Sequence, residues 1–278
     1  MADWLDMLKN VLDNIEKKYS EQTVSENRIA AQNHPKTNEL MQFAEKAKEE
    51  ALQFAEENSE KIKEAFEHFP DCDKKLYNRA VGLHRGFLCP CPVHDLVVGN
   101  VSRKHLMKRI KKTDHYYEYN FDEKGNLSCV SESGNTLEFI VREDNKEKGF
   151  TFLHTGKPYA FCESKYENGY ISSFTFIEFS DLSDDIAFTL NKYEYSFTDG
   201  FLQQYLHTNL FKRLMFDFSE EIIEFSYNDD NTYKEYTVER LSPTRSKSKT
   251  TFPVTKKRLN TDFCKPFNYF EYMNSEQK

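Results

Sequence analysis

From His115 onward, apolar residues recur at every second position and turn residues interrupt them at regular intervals. Tyr117, Tyr119 and Phe121 share one face of an extended strand, and Asp122-Glu123-Lys124-Gly125 supplies a turn before Leu127 and Cys129 return. A period of two is the signature of β-strands. The same grammar recurs at Tyr166-Glu167-Asn168-Gly169-Tyr170, where Asn-Gly tolerates the positive φ angles of a type I′ hairpin. Tyr193, Tyr195 and Phe197 precede Asp199-Gly200, and Phe201, Gln203 and Tyr205 follow; Phe225 and Tyr227 precede Asp229-Asp230-Asn231, and Tyr233, Glu235 and Thr237 follow. Gly169, Gly200 and Asn231 are equally spaced, with secondary turns expected around Ser183-Asp184-Asp185 and His207-Thr208-Asn209. Equal spacing of this kind predicts a repeated hairpin unit, hence a meander in which strands adjacent in sequence are adjacent in space.

Before His115 the period is helical. Leu5, Leu8, Leu12, Ile15 and Tyr19 form one apolar stripe over residues 3–19. Residues 22–32 read as a short helix or structured loop ending before Pro35. A long helix is expected over 38–66, where Leu40, Phe43, Ala47, Ala51, Phe54, Ile62 and Ala65 keep steps of three or four and Asn58 is the one polar member. Its alanines allow close approach, and pairing with the first helix would make a hairpin. Asp71 reads as the cap of a shorter helix carrying Leu76, Tyr77, Ala80, Val81 and His84. Pro90 and Pro92 then force an extended path, and 102–112 is basic and ambiguous.

The expectation is therefore an α+β protein: an N-terminal helical hairpin followed by a twisted antiparallel β-meander, either an open sheet or a half-barrel. The segments are a helical region at 1–85, a Cys/Pro linker with a basic stretch at 86–114, and the meander at 115–278 with a mobile basic loop at 242–258. Only 38% of residues are hydrophobic, but 24 Phe and 16 Tyr can supply the core. Phe263, Phe267, Tyr269, Phe270 and Tyr272 are expected to tie the chain's end back onto the sheet. Met1–Tyr19 lacks the order of a secretory signal, no apolar run reaches membrane-spanning length, and the six cysteines are too scattered for a disulfide scaffold. These features predict a cytoplasmic protein with reduced thiols and no membrane contact.

The stretch from Tyr117 to Leu127 resembles the YD hairpin repeat of Rhs-type and teneurin-type proteins, and Tyr193 to Leu202 is a looser echo. The resemblance implies hairpins rather than the closed shell that many copies build. The whole chain also resembles, in style, the acidic, aromatic-rich β-meander immunity proteins of bacterial polymorphic-toxin systems. That likeness implies a protein partner, a basic toxin domain.

No catalytic, phosphate-binding or metal motif stands out, and no cofactor is expected. Cys89, Cys91 and His94, with Cys72 and His84 upstream, contain zinc-ligand types, but a one-residue Cys spacing is wrong for a zinc knuckle. An enzyme using the Cys89–Asp95 segment is one alternative. Nucleic-acid binding through Arg103, Lys104, Lys108, Arg109, Lys111 and Lys112 or through Arg245–Arg258 is another, disfavoured by the net charge of −8. The favoured reading is a non-catalytic binding module. Its candidate contacts are Tyr117, Tyr119, Tyr193 and Tyr195, with Glu118 and Glu194 on the opposite strand faces. Whether the tyrosines are core or an exposed platform depends on which sheet face the helices cover.

Overall fold

The computed structural model describes residues 21–69, 73–79, 84–91, 105–110, 115–183, 185–212, 216–230, 233–242, 245–253 and 265–275. The expected first helix at 3–19 lies outside these residues, so a pairing of two N-terminal helices is not part of the described structure.

Three helices open the described chain: α1 (Glu21–Gln32), α2 (Pro35–Glu57) and α3 (Ser59–Glu67). Pro35 sits at the start of α2, where its missing N–H costs nothing. The long helix expected over 38–66 is two helices. The chain breaks at Asn58, whose backbone leaves the helical region while its side-chain amide donates to the Phe54 carbonyl. This is local competition between an Asn side chain and the helix ladder. The short helix expected after Asp71 is instead, over its described part, the strand β1 (Lys75–Asn78). Leu76 and Tyr77 suit either period over four residues, and pairing with the next strand decides the outcome.

The remaining strands are β2 (Tyr117–Phe121), β3 (Leu127–Glu132), β4 (Thr136–Glu143), β5 (Lys146–Leu153), β6 (Pro158–Glu167), β7 (Tyr170–Asp181), β8 (Ala187–Thr198), β9 (Phe201–Lys212), β10 (Phe216–Tyr227), β11 (Tyr233–Ser242) and β12 (Arg245–Pro253). A short helix α4 (Tyr269–Ser275) follows. The strands form one twelve-stranded antiparallel sheet in sequential order, an open meander with β1 and β12 at its ends. Asn168-Gly169 and Asp199-Gly200 both take positive φ, as the hairpin reading requires. His207-Thr208-Asn209 is not a turn: it lies inside β9, in register with both neighbours. Nor is 245–253 a loop. Its alternating Ser and Lys form an edge strand exposed on both sides, which needs no apolar face and is protected from edge-to-edge pairing by lysines.

One belt of side chains crosses the sheet at right angles to the strands. Phe139, Phe150, Phe161, Ile177, Leu190, Leu210 and Phe218 are successive cross-strand partners. Helix α2 lies along this belt and buries Leu40, Ala44, Ala47 and Ala51 in the same cluster. At one end Lys36 pairs with Glu220 of β10; at the other Phe54 stacks on Phe150 of β5 at 4.3 Å. From Lys36 to Phe54 a helix rises about 27 Å, and five inter-strand spacings span about 24 Å. The helix is long enough to cross the sheet, and its alanines let it sit close.

The opposite face of β2–β6 is covered by the chain around 84–91 and by the C-terminal residues. Phe267 and Tyr269 pack on Phe121, and Asn268 bridges to Asn126. The aromatic end of the chain thus returns to the sheet. No helix among the described residues is long and apolar enough to cross a membrane.

Candidate functional site

Burial on both faces changes the reading of the first tyrosine pair. Every residue of β2 is buried, including Glu118, whose carboxylate receives a 3.3 Å hydrogen bond from the Tyr77 hydroxyl. Tyr117, Glu118 and Tyr119 therefore offer no contact surface. They build a seat. The Tyr119 hydroxyl donates to the Arg85 carbonyl at 2.8 Å and accepts from the Phe87 N–H at 3.1 Å. The Tyr117 ring packs so tightly on Gly86 that no side chain could occupy that position. Arg85 and Gly86 both take positive φ. For a non-glycine residue this costs of order 1 kcal/mol and persists only where its surroundings enforce it.

What the turn achieves is to drive the Arg85 side chain down onto the sheet. Its guanidinium is 2% exposed. Nε and Nη2 donate to the two oxygens of Glu138 at 3.0 and 2.8 Å, and Nη1 donates to Glu147 at 2.5 Å. The second Glu147 oxygen accepts from Arg142 at 2.6 Å, and Arg142 continues to Asn126 at 2.7 Å. Cys162 completes the group: its thiol donates to Glu138 and its sulfur accepts from Arg85, both at 3.2 Å. Burial pushes the Cys162 thiol well up, so it stays protonated and neutral. Burial opposes ionisation of Glu138 too, but Arg85 and His84 outweigh it and hold this carboxylate well below the usual range. The guanidinium fits because Gly149 lies beneath it. A Cβ there would overlap Glu138 and come within 2.6 Å of Arg85 and 2.7 Å of Cys162.

His84, Glu138 and Cys162 bring three metal-ligating atoms within 4.8 Å of one another. The chemistry does not fit a metal as the cluster stands. The Arg85 guanidinium already occupies the shared space, bonded at once to Glu138 and to the Cys162 sulfur, and its positive charge repels a cation there.

The second tyrosine pair also faces inward. Tyr195 is 9% exposed, and Tyr193 stacks on His207 at 4.5 Å with the rings nearly parallel. Cys89 and Cys91 are 4% and 3% exposed and pack into the same cluster, so neither is presented as a nucleophile. His94 and Asp95 lie outside the described residues, as do Cys72, Arg103, Lys104, Lys111 and Lys112. Glu194 is different. It lies on the helix-covered side of the sheet, but its side chain is 44% exposed.

Beyond the contact of α2 with the sheet, one cross-strand row reads Glu194, Leu206, Ile222, Glu239 and Lys249. The neighbouring row contains Gln204, Glu224 and Thr237. Leu206 and Ile222 are partly exposed, and the Glu224 and Lys249 side chains are 54% and 59% exposed. The outer strands thus present a small apolar centre bordered by three carboxylates, of which Glu194 pairs with Lys192 at 3.3 Å and Glu224 with Lys249 at 3.7 Å. No family model matches the chain. No curated protein matches it either.

Sequence reasoning missed Arg85, Glu138, Glu147 and Cys162. Gly149 was the legible signal, since a glycine inside a strand marks a close approach by another group.

The paired carboxylates set an acid limit. His207 and, against the effect of burial, Arg240 hold Glu221 down at about 2. Glu138 is lowered as well. Both bind protons more weakly folded than unfolded, where a glutamate titrates at about 4.3. Their stabilisation is complete above that pH and is lost as pH falls toward the folded values. Urea midpoints should therefore decline steadily from pH 5 to pH 3, and Glu221→Gln should flatten the decline. A midpoint that rises on acidification would contradict this.

Proposed function

We propose that this chain is a non-catalytic binding module for a basic protein partner and, more finely, an immunity-like protein that neutralises a cognate toxin domain in the cytoplasm. One observation supports the binding reading above others: the row Glu194–Leu206–Ile222–Glu239 on the outer strands, with Glu224 beside it. Apolar side chains at the centre and charges at the rim are the usual anatomy of a protein contact surface. Carboxylates at the rim steer a basic partner and raise its association rate. The net charge of −8 acts in the same direction. The buried ion cluster around Arg85 plays no part in contact; it fixes the sheet that carries the row.

The test is co-expression with a secreted toxin encoded beside this gene, followed by measurement of complex formation. Wild-type protein should protect cells, and its association rate should fall with added salt. Glu194→Lys combined with Glu224→Lys should slow association by about tenfold or more while leaving the melting temperature nearly unchanged. Cys89→Ala should bind as wild type does. Failure to protect, together with no detectable complex, would remove the immunity reading.

A further inference from the structure

We infer that the tip of the β2–β3 hairpin is a binding site for a short aromatic peptide, which the chain's own residues 265–275 occupy as an exchangeable strap. The site is independent of the partner surface just described. Its frame is a rigid turn: the Asp122 carboxylate accepts from the backbone N–H groups of Lys124 and Asn126 at 2.9 and 2.8 Å and from the Asn126 side-chain amide at 3.1 Å. The strap bonds to the carbonyls of this turn. The Tyr269 N–H donates to Gly125 at 2.8 Å, and the Asn268 side-chain amide donates to Lys124 at 3.0 Å. Main-chain bonds of this kind give affinity, and places for side chains give specificity. Phe267 and Tyr269 lie against Phe121 at 5.6 and 5.1 Å. Phe270 lies over Gly125, where a Cβ would come within 2.7 Å of its ring, and the Lys74 ammonium is 5.9 Å from the centre of the same ring. The order aromatic-Asn-aromatic-aromatic thus finds a place for each of its four side chains.

The strap is docked rather than built in. No residue from Lys265 to Ser275 is buried, and Phe270 is 42% exposed. The hairpin residues of the cluster it packs on are buried: Phe121 is 2% exposed and Leu127 7%. Helix α4 has seven residues, too few to be stable alone, so it forms on docking and melts on release. A segment with so little of its own surface buried opens locally, at far smaller cost than global unfolding. Release also reaches the ion cluster. Lys265 and Phe267 line a cavity of about 40 Å³ together with Arg85, Arg142, Glu147 and Tyr166. Asn126 joins the two sites directly: its side chain accepts from Arg142 at 2.7 Å, and its backbone pairs with Asn268.

Fluorescence anisotropy on the full chain tests the site, with a fluorescein-tagged peptide of residues 265–275 as the probe. In the double variant Phe267→Ala, Tyr269→Ala the strap loses its hold on Phe121 while the hairpin stays intact. This variant should bind the peptide at least ~10-fold more tightly than wild type, whose own strap keeps the site filled, because apparent affinity scales with the fraction of sites that are open. Adding Lys74→Ala should weaken the peptide ~2- to 5-fold, the loss of one cation–ring contact. A peptide carrying the same two alanines should not bind. In wild-type protein the Tyr269 N–H should exchange with solvent deuterium at least ~100-fold faster than N–H groups of the central strands. No gain in peptide binding by the double variant, binding of the alanine peptide, no effect of Lys74→Ala, or exchange of Tyr269 at the rate of the central strands would overturn the site. So would a double variant that no longer melts cooperatively, since the segment would then be core and not ligand.

Discussion

Replacing Arg85 with Met should destabilise the protein by about 3–5 kcal/mol, because it leaves Glu138 and Glu147 buried without their shared cation. That is a large part of the roughly 5–15 kcal/mol that holds a typical domain folded. Urea unfolding followed by tyrosine fluorescence measures it. Adding Glu138→Gln to Arg85→Met should recover part of the loss, since one uncompensated charge is removed with its partner. Gly149→Ala probes the same site from below and should cost about 1–3 kcal/mol, the usual penalty for overpacking. If Arg85→Met melts like wild type, the two carboxylates are not held as described.

Removing residues 1–69 should leave a remainder that aggregates. The helices α1 to α3 cover the belt from Phe139 to Phe218, and without them Phe150, Phe152, Phe188 and Leu190 on one sheet face meet water. Each such side chain contributes about 1.5–3 kcal/mol when fully buried. Four together come to roughly 6–12 kcal/mol, as large as the whole roughly 5–15 kcal/mol margin of a typical domain. Expression of residues 70–278 should give insoluble protein, or soluble protein without a cooperative melt. A monomeric, cooperatively melting fragment would show that the sheet needs no helical cover.

The meander was legible because its signals are local. Asn168-Gly169 and Asp199-Gly200 fix hairpins within a few residues, and alternation then propagates along each strand. The apolar stripe of α2 was legible for the same reason. The failures also share a cause. Residues 75–78 are too short for a period to show, so pairing with β2 determines their state. Ser and Lys alternate in β12 with no apolar face, which reads as a loop until the neighbouring strand is known. Asn58 breaks a helix whose apolar steps continue through it.

The candidate contacts divide along the same line. That Tyr117 and Tyr119 share a face follows from strand geometry alone. That this face is core, and that Glu118 behind it is also buried, depends on layers contributed by Tyr77, Gly86 and Arg85, all distant in sequence. Glu194 remains at the surface because α2 meets the sheet near Lys192 and Glu220, short of its row.

By itself the sequence determined the α+β class, the antiparallel order of the central strands and the positions of several hairpins, because turn chemistry and side-chain alternation act over a few residues. Only the tertiary structure decided which face each tyrosine pair buries and where the aromatic C-terminal segment docks. It also placed Arg85, Glu138, Glu147 and Cys162 in one cluster. The physical reason is distance along the chain: a buried guanidinium must find its carboxylates across sequence separations of 53 and 62, and no local pattern encodes such a meeting.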